Sequence, residues 1–263
     1  MDKPSRPLLF LGIVAALSIP FFVLAVVRPG GIRVGAMQLP VSTVIFVLPV
    51  VVAAALTWRR GGSDLVALLR RSVDGPAASL RWYALAVLLF PTLAVASHLL
   101  LRWAGQVGSA LPLSLAAAPA VIAMFGLAAT CEELGWTGYA TDPLQKRFGS
   151  TAAAVGLGLY WASWHLVGWL QAGHPKGWIA GWFAVTIAAR VLIVWLHNNT
   201  GHGVTGAILS HAALNVSAAY TPDLSESITT VTTGVLTCVV AVAVVVWPRV
   251  LRKYPAEPTS TGT

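Results

Sequence analysis

Residues 112–139 read PLSLAAAPAVIAMFGLAATCEELGWTGY, an apolar run that ends in two adjacent carboxylates, Glu132 and Glu133. The run has no charged residue before Glu132, and a stretch of about twenty apolar residues is what a helix needs to cross a hydrocarbon core of about 30 Å. An acidic residue at the centre of a membrane helix costs roughly 2.5 to 3.5 kcal/mol. The carboxylate pair therefore predicts polar partners and a functional role nearby.

The rest of the chain has the composition of a membrane protein. Of its 263 residues 57% are hydrophobic and 10% are charged, and the mean hydropathy is +0.76, whereas soluble domains have roughly 25% charged residues. The two cysteines, Cys131 and Cys238, lie in apolar segments without a ligand spacing, which excludes a disulfide framework and a cysteine-rich zinc site. We predict an all-α fold, a polytopic transmembrane helical bundle.

Eight apolar segments give the predicted bundle about eight spans. They cover approximately residues 8–27, 38–58, 82–101, 113–142, 151–170, 177–196, 203–220 and 229–247. A short amphipathic segment, Asp64 to Arg71, is expected along the membrane interface. We predict one membrane-embedded bundle over residues 1–253 and a disordered polar tail over residues 254–263.

Lysine and arginine residues cluster between the apolar segments and give a net charge of +8. If both termini are cytoplasmic, twelve of these residues lie on the cytoplasmic side: Lys3, Arg6, Arg59, Arg60, Arg70, Arg71, Arg81, Lys146, Arg147, Arg249, Arg252 and Lys253. Four lie on the other side: Arg28, Arg33, Arg102 and Lys176. The positive-inside rule explains this distribution, so we expect cytoplasmic termini, contact with membrane lipid and no nucleic-acid partner.

Five polar side chains interrupt three of the predicted spans at similar depth: Glu132, Glu133, His165, His211 and Asn215. At about 1.5 Å per residue, they lie within a few helical turns of one another in depth. We expect them to line one cavity that opens toward the cytoplasm. A carboxylate, imidazoles and an amide can activate water and stabilise an oxyanion, as a hydrolase requires. Hydrogen bonds that only pack helices together are the alternative interpretation.

Three motifs follow in order on separate predicted spans. They read Glu132-Glu133-Leu-Gly-Trp-Thr137, Trp161-Ala-Ser-Trp-His165 and His211-Ala-Ala-Leu-Asn215. In this combination residues 113–218 resemble the CPBP family, the CAAX-protease and bacteriocin-processing intramembrane proteases of the Abi type, and especially its bacterial members. The resemblance implies a multi-pass protein of a bacterial plasma membrane that cleaves a membrane-associated protein or peptide.

The resemblance also implies a role for each candidate catalytic residue. Glu132 would activate the water, His165 would assist it, and His211 with Asn215 would hold the oxyanion, with Glu133 as a supporting carboxylate. We expect no cofactor, because this mechanism needs no metal. Zinc is the alternative, with His165, His211 and Glu132 as its ligands.

Thr137 stands where the family motif has an arginine, four residues after Glu133. Either the carboxylate pair retains a proton or another cation replaces the arginine, and Arg190 within the sixth predicted span is the candidate. A catalytically impaired membrane binding or bacteriocin-immunity protein with the same fold is therefore the alternative function. A small-solute transporter is less favoured, because the sequence has no evident internal repeat.

Overall fold

The computed structural model describes residues 6–28, 30–34, 37–59, 61–73, 80–107 and 115–252. The predicted disordered tail, residues 254–263, lies outside the described residues. The α-helices are α1 (Pro7–Val27), α2 (Leu48–Trp58), α3 (Gly62–Arg70), α4 (Leu80–Trp103), α5 (Ala118–Gly135), α6 (Asp142–Phe148), α7 (Ser150–Gln171), α8 (Lys176–Asn199), α9 (Thr205–Tyr220) and α10 (Ser227–Arg252). Short 3₁₀ segments cover Val41–Val47, Arg71–Val73 and Leu115–Ala117.

Helices occupy all eight predicted spans, but not all of these helices are long and apolar enough to cross a membrane. In the described part of the chain, six are long and apolar enough: Pro7–Val27, Val41–Trp58, Leu80–Trp103, Ala118–Phe148, Lys176–Asn199 and Ser227–Trp247. Among the others, α9 has 16 residues, shorter than a full crossing requires, and α7 has 22 residues with several polar and small ones. The structure therefore supports a multi-pass helical protein with six candidate spans.

The outer surfaces of the long helices are apolar, as lipid contact requires. Leu17 and Val23 on α1, Leu88 on α4 and Val239 on α10 are among the large apolar side chains that remain exposed. Polar side chains concentrate between the helices instead, where protein groups can satisfy them. Helix α8 is central, since it packs against α7, α9 and α10.

Glycines allow three close helix crossings. A Cβ atom at Gly135 of α5 would lie 2.5 Å from Pro49 of α2, and one at Gly181 of α8 would lie 2.5 Å from the backbone of Thr230. A Cβ atom at Gly158 of α7 would lie 3.1 Å from the backbone of α8 beside Arg190. Small residues at such crossings let membrane helices approach closely. The third crossing brings Arg190 against the helix that carries His165.

An antiparallel β-hairpin precedes the second span and was not predicted. Strands β1 (Gly31–Val34) and β2 (Met37–Pro40) pair with Gly31 opposite Pro40. The prediction began the second span at residue 38, although Gln38 and Pro40 make Met37–Pro40 less apolar than the helix that follows. The span instead starts after Pro40, with the 3₁₀ segment Val41–Val47 leading into α2.

The carboxylate pair is followed by a π-helical segment, Trp136–Thr141, which links α5 to α6. The hydroxyl of Thr141 donates to the carbonyl of Trp136 at 2.9 Å, a contact that spans this wider turn. Apart from Gly138, every residue from Glu132 to Thr141 is buried. Such π-helical turns often occur at functional sites, and this one surrounds Glu132 and Glu133 with protein on all sides.

Candidate active site

Glu133 is bound by side chains from three helices and is completely buried, with 0% of its side chain exposed. The Arg190 guanidinium contacts both carboxylate oxygens, with Nη1 2.8 Å from Oε2 and Nη2 2.9 Å from Oε1. The Thr137 hydroxyl donates to Oε2, and Nδ1 of His211 lies 2.9 Å from Oε1. The proposed pairing of Arg190 with Glu133 is therefore confirmed, and each oxygen of the carboxylate has two hydrogen-bond partners.

Arg190 is held by more than its ion pair. Its side chain is 0% exposed, and Cζ lies 4.3 Å from the centroid of the Trp161 ring. A cation over an indole face gains about 2 kcal/mol when both groups are desolvated. Arg190 thus provides from α8 the positive charge that Thr137 cannot provide from position 137.

Glu132 has a different environment from its neighbour. Its Oε2 atom accepts the indole N–H groups of Trp161 at 2.9 Å and Trp136 at 3.1 Å. Within the described part of the chain, no hydrogen bond engages Oε1, and Glu132 lines a cavity. Two fixed donors on one oxygen orient the carboxylate and leave Oε1 without a donor among the described residues.

The two histidines have defined tautomers because their Nδ1 atoms face acceptors. Nδ1 of His165 lies 3.0 Å from the carbonyl oxygen of Trp161, and Nδ1 of His211 faces the Glu133 carboxylate. Neither acceptor has a hydrogen to give, so each Nδ1 carries the proton. The Nε2 atom of each neutral ring is then a proton acceptor, and both residues line the cavity.

One cavity of about 220 Å³ joins four of the five predicted residues: Glu132, His165, His211 and Asn215. Glu133 is not among its lining residues, since it lies behind His211. The prediction of a shared cavity is confirmed for these four. Aromatic side chains form much of the wall, including Trp161, Trp164, Trp169, Trp178 and Trp182.

The predicted side of the cavity mouth conflicts with the predicted location of the termini. The lining residues that belong to connections between helices are Arg33, Leu39, Pro40, His174, Leu224 and Ser225, which lie in connections assigned to the non-cytoplasmic side. Cytoplasmic termini and a cytoplasmic mouth are therefore incompatible. The sequence predicted how deep each polar side chain lies along its helix. The end at which the cavity is open depends on where the helices diverge, and sequence spacing does not specify this.

A second polar cluster lies at the other end of the bundle and was not predicted. Asp142 Oδ1 is 3.0 Å from Nε2 of His197 and 3.1 Å from Nδ1 of His202, and Arg71 contacts Oδ2 at 3.4 Å. His197 also faces the Gly203 carbonyl at 3.0 Å. The polar turn at residues 197–203 could have indicated this cluster, because it places two histidines beside an acidic helix start.

Potential metal ligands group at that second cluster. The ligand atoms of Asp142, His197 and His202 lie within 4.8 Å of one another. The alternative zinc set, Glu132, His165 and His211, is not among the groups of described residues that meet this distance. The guanidinium of Arg71 beside Asp142 already balances its charge, and these contacts join the 3₁₀ segment Arg71–Val73, α6 and α8.

The indole donors to Glu132 were also missed, although the sequence contained a signal. Trp136 lies four residues after Glu132, the spacing at which helical side chains meet. Trp161 begins the motif that ends at His165, but the motif does not show which atom the Trp161 ring contacts. Both tryptophans turn a costly buried carboxylate into a hydrogen-bonded one.

Residues 114–217, which include every candidate catalytic residue, match a family model described as type II CAAX prenyl endopeptidase Rce1-like. These residues, less than half of the chain, are therefore similar to the Rce1-like CAAX prenyl endopeptidases. A curated relative, CAAX prenyl protease 2 of Methanococcus maripaludis, is 27% identical over 137 residues. The alignment covers 49% of this chain and 50% of the relative, so the chain spans about half the length of the relative it matches. The description of the matching family model names an endopeptidase, and endopeptidases are hydrolases.

Proposed function

We propose that the chain is an intramembrane endopeptidase that hydrolyses a peptide bond of a membrane-associated protein or peptide with a water activated by Glu132. The observation that supports this most directly is the hydrogen-bonding of Glu132. Both indole donors engage Oε2, so Oε1 is the atom that can accept a proton from water in the cavity. A positioned general base of this kind contributes roughly 10² to 10⁴-fold to a rate.

The proposed reaction uses the cavity residues in sequence. Water at Oε1 of Glu132 attacks the scissile carbonyl carbon while its proton moves to the carboxylate. The neutral Nε2 of His165 accepts this proton from Glu132 and passes it to the nitrogen of the leaving amine as the C–N bond breaks, which restores the carboxylate. No step requires a metal.

Asn215 and His211 stabilise the oxyanion in the proposed reaction, but only His211 needs an additional proton to do so. The Asn215 amide donates in its ordinary state. His211 already uses its Nδ1 proton on Glu133, so it donates from Nε2 only as an imidazolium. Glu133 at 2.9 Å from Nδ1 fixes the position of the His211 ring, which makes Glu133 a positioning residue that acts through His211.

Purified protein in liposomes, incubated with a library of membrane-anchored peptides, tests this proposal. We expect cleavage by the wild type and by the control variant Glu226→Gln, whose side chain is exposed outside the site. Glu132→Gln should cleave at least about 10²-fold more slowly. Equal background for all three proteins would favour the alternative, a membrane binding or immunity protein that retains the fold.

A further inference from the structure

The cluster of Asp142, His197 and His202, which we call the Asp142 cluster, has no part in the proposed reaction. None of these three residues is among the described residues that line the catalytic cavity. Asp142 begins α6, His197 lies in the last turn of α8, and His202 lies in the turn before α9. Separate parts of the chain thus bring one carboxylate and two imidazoles together, with ligand atoms within 4.8 Å of one another.

His197 has two hydrogen-bond acceptors, and a neutral imidazole can satisfy only one of them. The side chain is 0% exposed. Its Nδ1 atom lies 3.0 Å from the Gly203 carbonyl oxygen, and its Nε2 atom lies 3.0 Å from Oδ1 of Asp142. A neutral imidazole has a single N–H group, and neither a carbonyl nor a carboxylate can donate to the other nitrogen. A cation between Nε2 and Oδ1, either a second proton or a metal ion, resolves this conflict.

The geometry of the two histidines favours a metal ion. Histidines that bind metals usually donate their other ring N–H to a backbone carbonyl or a carboxylate, and His197 faces the Gly203 carbonyl in this way. Nδ1 of His202 lies 3.1 Å from the same Oδ1 atom, and the two rings are nearly perpendicular, at 87°. His202 also has a φ of 63°, and such left-handed residues concentrate at functional sites and ligand clamps. One metal ion accounts for both nitrogens beside one oxygen.

The carboxylate of Asp142 is oriented so that Oδ1 can act as a ligand. Arg71 contacts the other oxygen, Oδ2, at 3.4 Å and donates to the His202 carbonyl at 2.7 Å. The Gln145 amide lies 3.4 Å from Oδ1 but is closer to Asn198, at 3.0 Å. Carboxylates that bind metals are usually held by hydrogen bonds of this kind. The Asp142 and His202 side chains are 29% and 57% exposed, so water can reach the cluster.

We propose that the Asp142 cluster is a zinc site, with Oδ1 of Asp142, Nε2 of His197 and Nδ1 of His202 as ligand atoms and water as the fourth ligand. Zinc binds imidazole and carboxylate in a tetrahedron, whereas calcium and magnesium depend on oxygen ligands. Tetrahedral zinc with bonds of about 2.0 to 2.1 Å holds its ligand atoms about 3.3 Å apart. The two nitrogens lie 3.0 and 3.1 Å from Oδ1, so small side-chain shifts produce this geometry.

The position of the site gives it a structural role. Asp142 directly follows the π-helical segment Trp136–Thr141, and that segment follows the helix of Glu132 and Glu133. His197 lies on α8 about two helical turns after Arg190. Zinc at the cluster joins the helix of the carboxylate pair to the helix of Arg190. We therefore expect zinc to stabilise the fold, because a ligand that binds only the folded state raises the unfolding midpoint.

Zinc binding to the purified chain tests this proposal without any substrate. The protein carries an affinity tag without histidine, is stripped with a chelator in detergent micelles and is then titrated with zinc against a chromophoric competitor. We expect about one zinc ion per chain. His202→Asn removes the imidazole at an exposed position, and asparagine tolerates a positive φ. This variant should bind zinc at least about 10²-fold more weakly, and zinc should raise the thermal unfolding midpoint of the wild type but not that of the variant.

The matched control is His165→Gln, which removes an imidazole from the catalytic cavity instead. It should bind zinc with the wild-type affinity and stoichiometry. Zinc lost in His165→Gln but retained in His202→Asn would place the ion in the cavity and overturn the proposal. A wild type without stoichiometric zinc, or equal affinity in the wild type and His202→Asn, would also overturn it and leave a second proton as the cation between His197 and Asp142.

Discussion

The ion pair between Arg190 and Glu133 predicts a large and specific energetic coupling. Arg190→Met keeps most of the side-chain volume but leaves Glu133 buried without its cation. Removing one partner of a buried pair costs about 3 to 5 kcal/mol. Glu133 would still accept hydrogen bonds from Thr137 and His211, so we expect a loss of unfolding free energy near the lower figure, about 3 kcal/mol.

A double-mutant cycle separates this coupling from lost packing. Glu133→Gln removes the charge without changing the shape, and the double variant leaves no unpaired charge in the core. We expect the double variant to be less destabilised than the sum of the two single variants by about 1 to 3 kcal/mol. The assay is reversible denaturant unfolding in mixed micelles, and strictly additive losses would refute the pairing argument.

Position 137 offers a rescue experiment. Thr137 donates to Glu133 from four residues away on the same helix, so an arginine there can reach the carboxylate. In the Arg190→Met background, Thr137→Arg should therefore restore part of the stability and activity that Arg190→Met removes. In the wild-type background the same change adds a second buried cation beside one carboxylate, so we expect it to destabilise the protein. Gain of activity from Thr137→Arg alone would contradict the assigned role of Arg190.

Three further predictions follow from individual contacts. Gly135→Ala should lower the free energy of unfolding by about 1 to 3 kcal/mol through overpacking. The control is Gly126→Ala on the same helix, where an added Cβ atom meets no atom within 4 Å and should not lower the free energy of unfolding. Equal effects of the two changes would contradict the close crossing. Trp161→Phe should reduce kcat by about 10 to 100-fold, because Glu132 loses an indole donor worth roughly 1.5 to 3 kcal/mol, and an unchanged kcat would refute this role. Burial lowers the pKa of His174, so the stability that its neutral form contributes is lost as the pH falls below about 6.5. The thermal unfolding midpoints at pH values of about 7.5 and 5.5 should therefore differ less in His174→Phe than in the wild type.

Helix positions could be predicted from the sequence because each apolar segment is long and bounded by charged or turn-forming residues. Arg190 was predicted as a partner for a similar reason: a cation inside an apolar helix and a carboxylate without a neighbouring cation are both costly. The cost of leaving either charge unpaired was therefore enough to predict a contact between two residues that are 57 positions apart.

Features that depend on local backbone geometry were not predictable in this way. The π-helical turn Trp136–Thr141 follows α5 directly, without a break in the helix, and the hairpin strand Met37–Pro40 has only four residues beside a long apolar span. The open end of the cavity depends on how several helices diverge, so depth estimates for His165 and Asn215 could not reveal it. The Asp142 cluster required knowledge of which helix ends meet.

The central claim is that the two adjacent carboxylates have different tasks, and paired kinetic and unfolding measurements on Glu132→Gln and Glu133→Gln test it most directly. For Glu132→Gln we predict a fall in kcat of at least about 10²-fold with little change in unfolding free energy. For Glu133→Gln we predict a substantial loss of unfolding free energy, because Arg190 remains charged and unpaired in the core. A Glu132→Gln variant that cleaves substrate at the wild-type rate would contradict the assignment of Glu132 as the base that activates water.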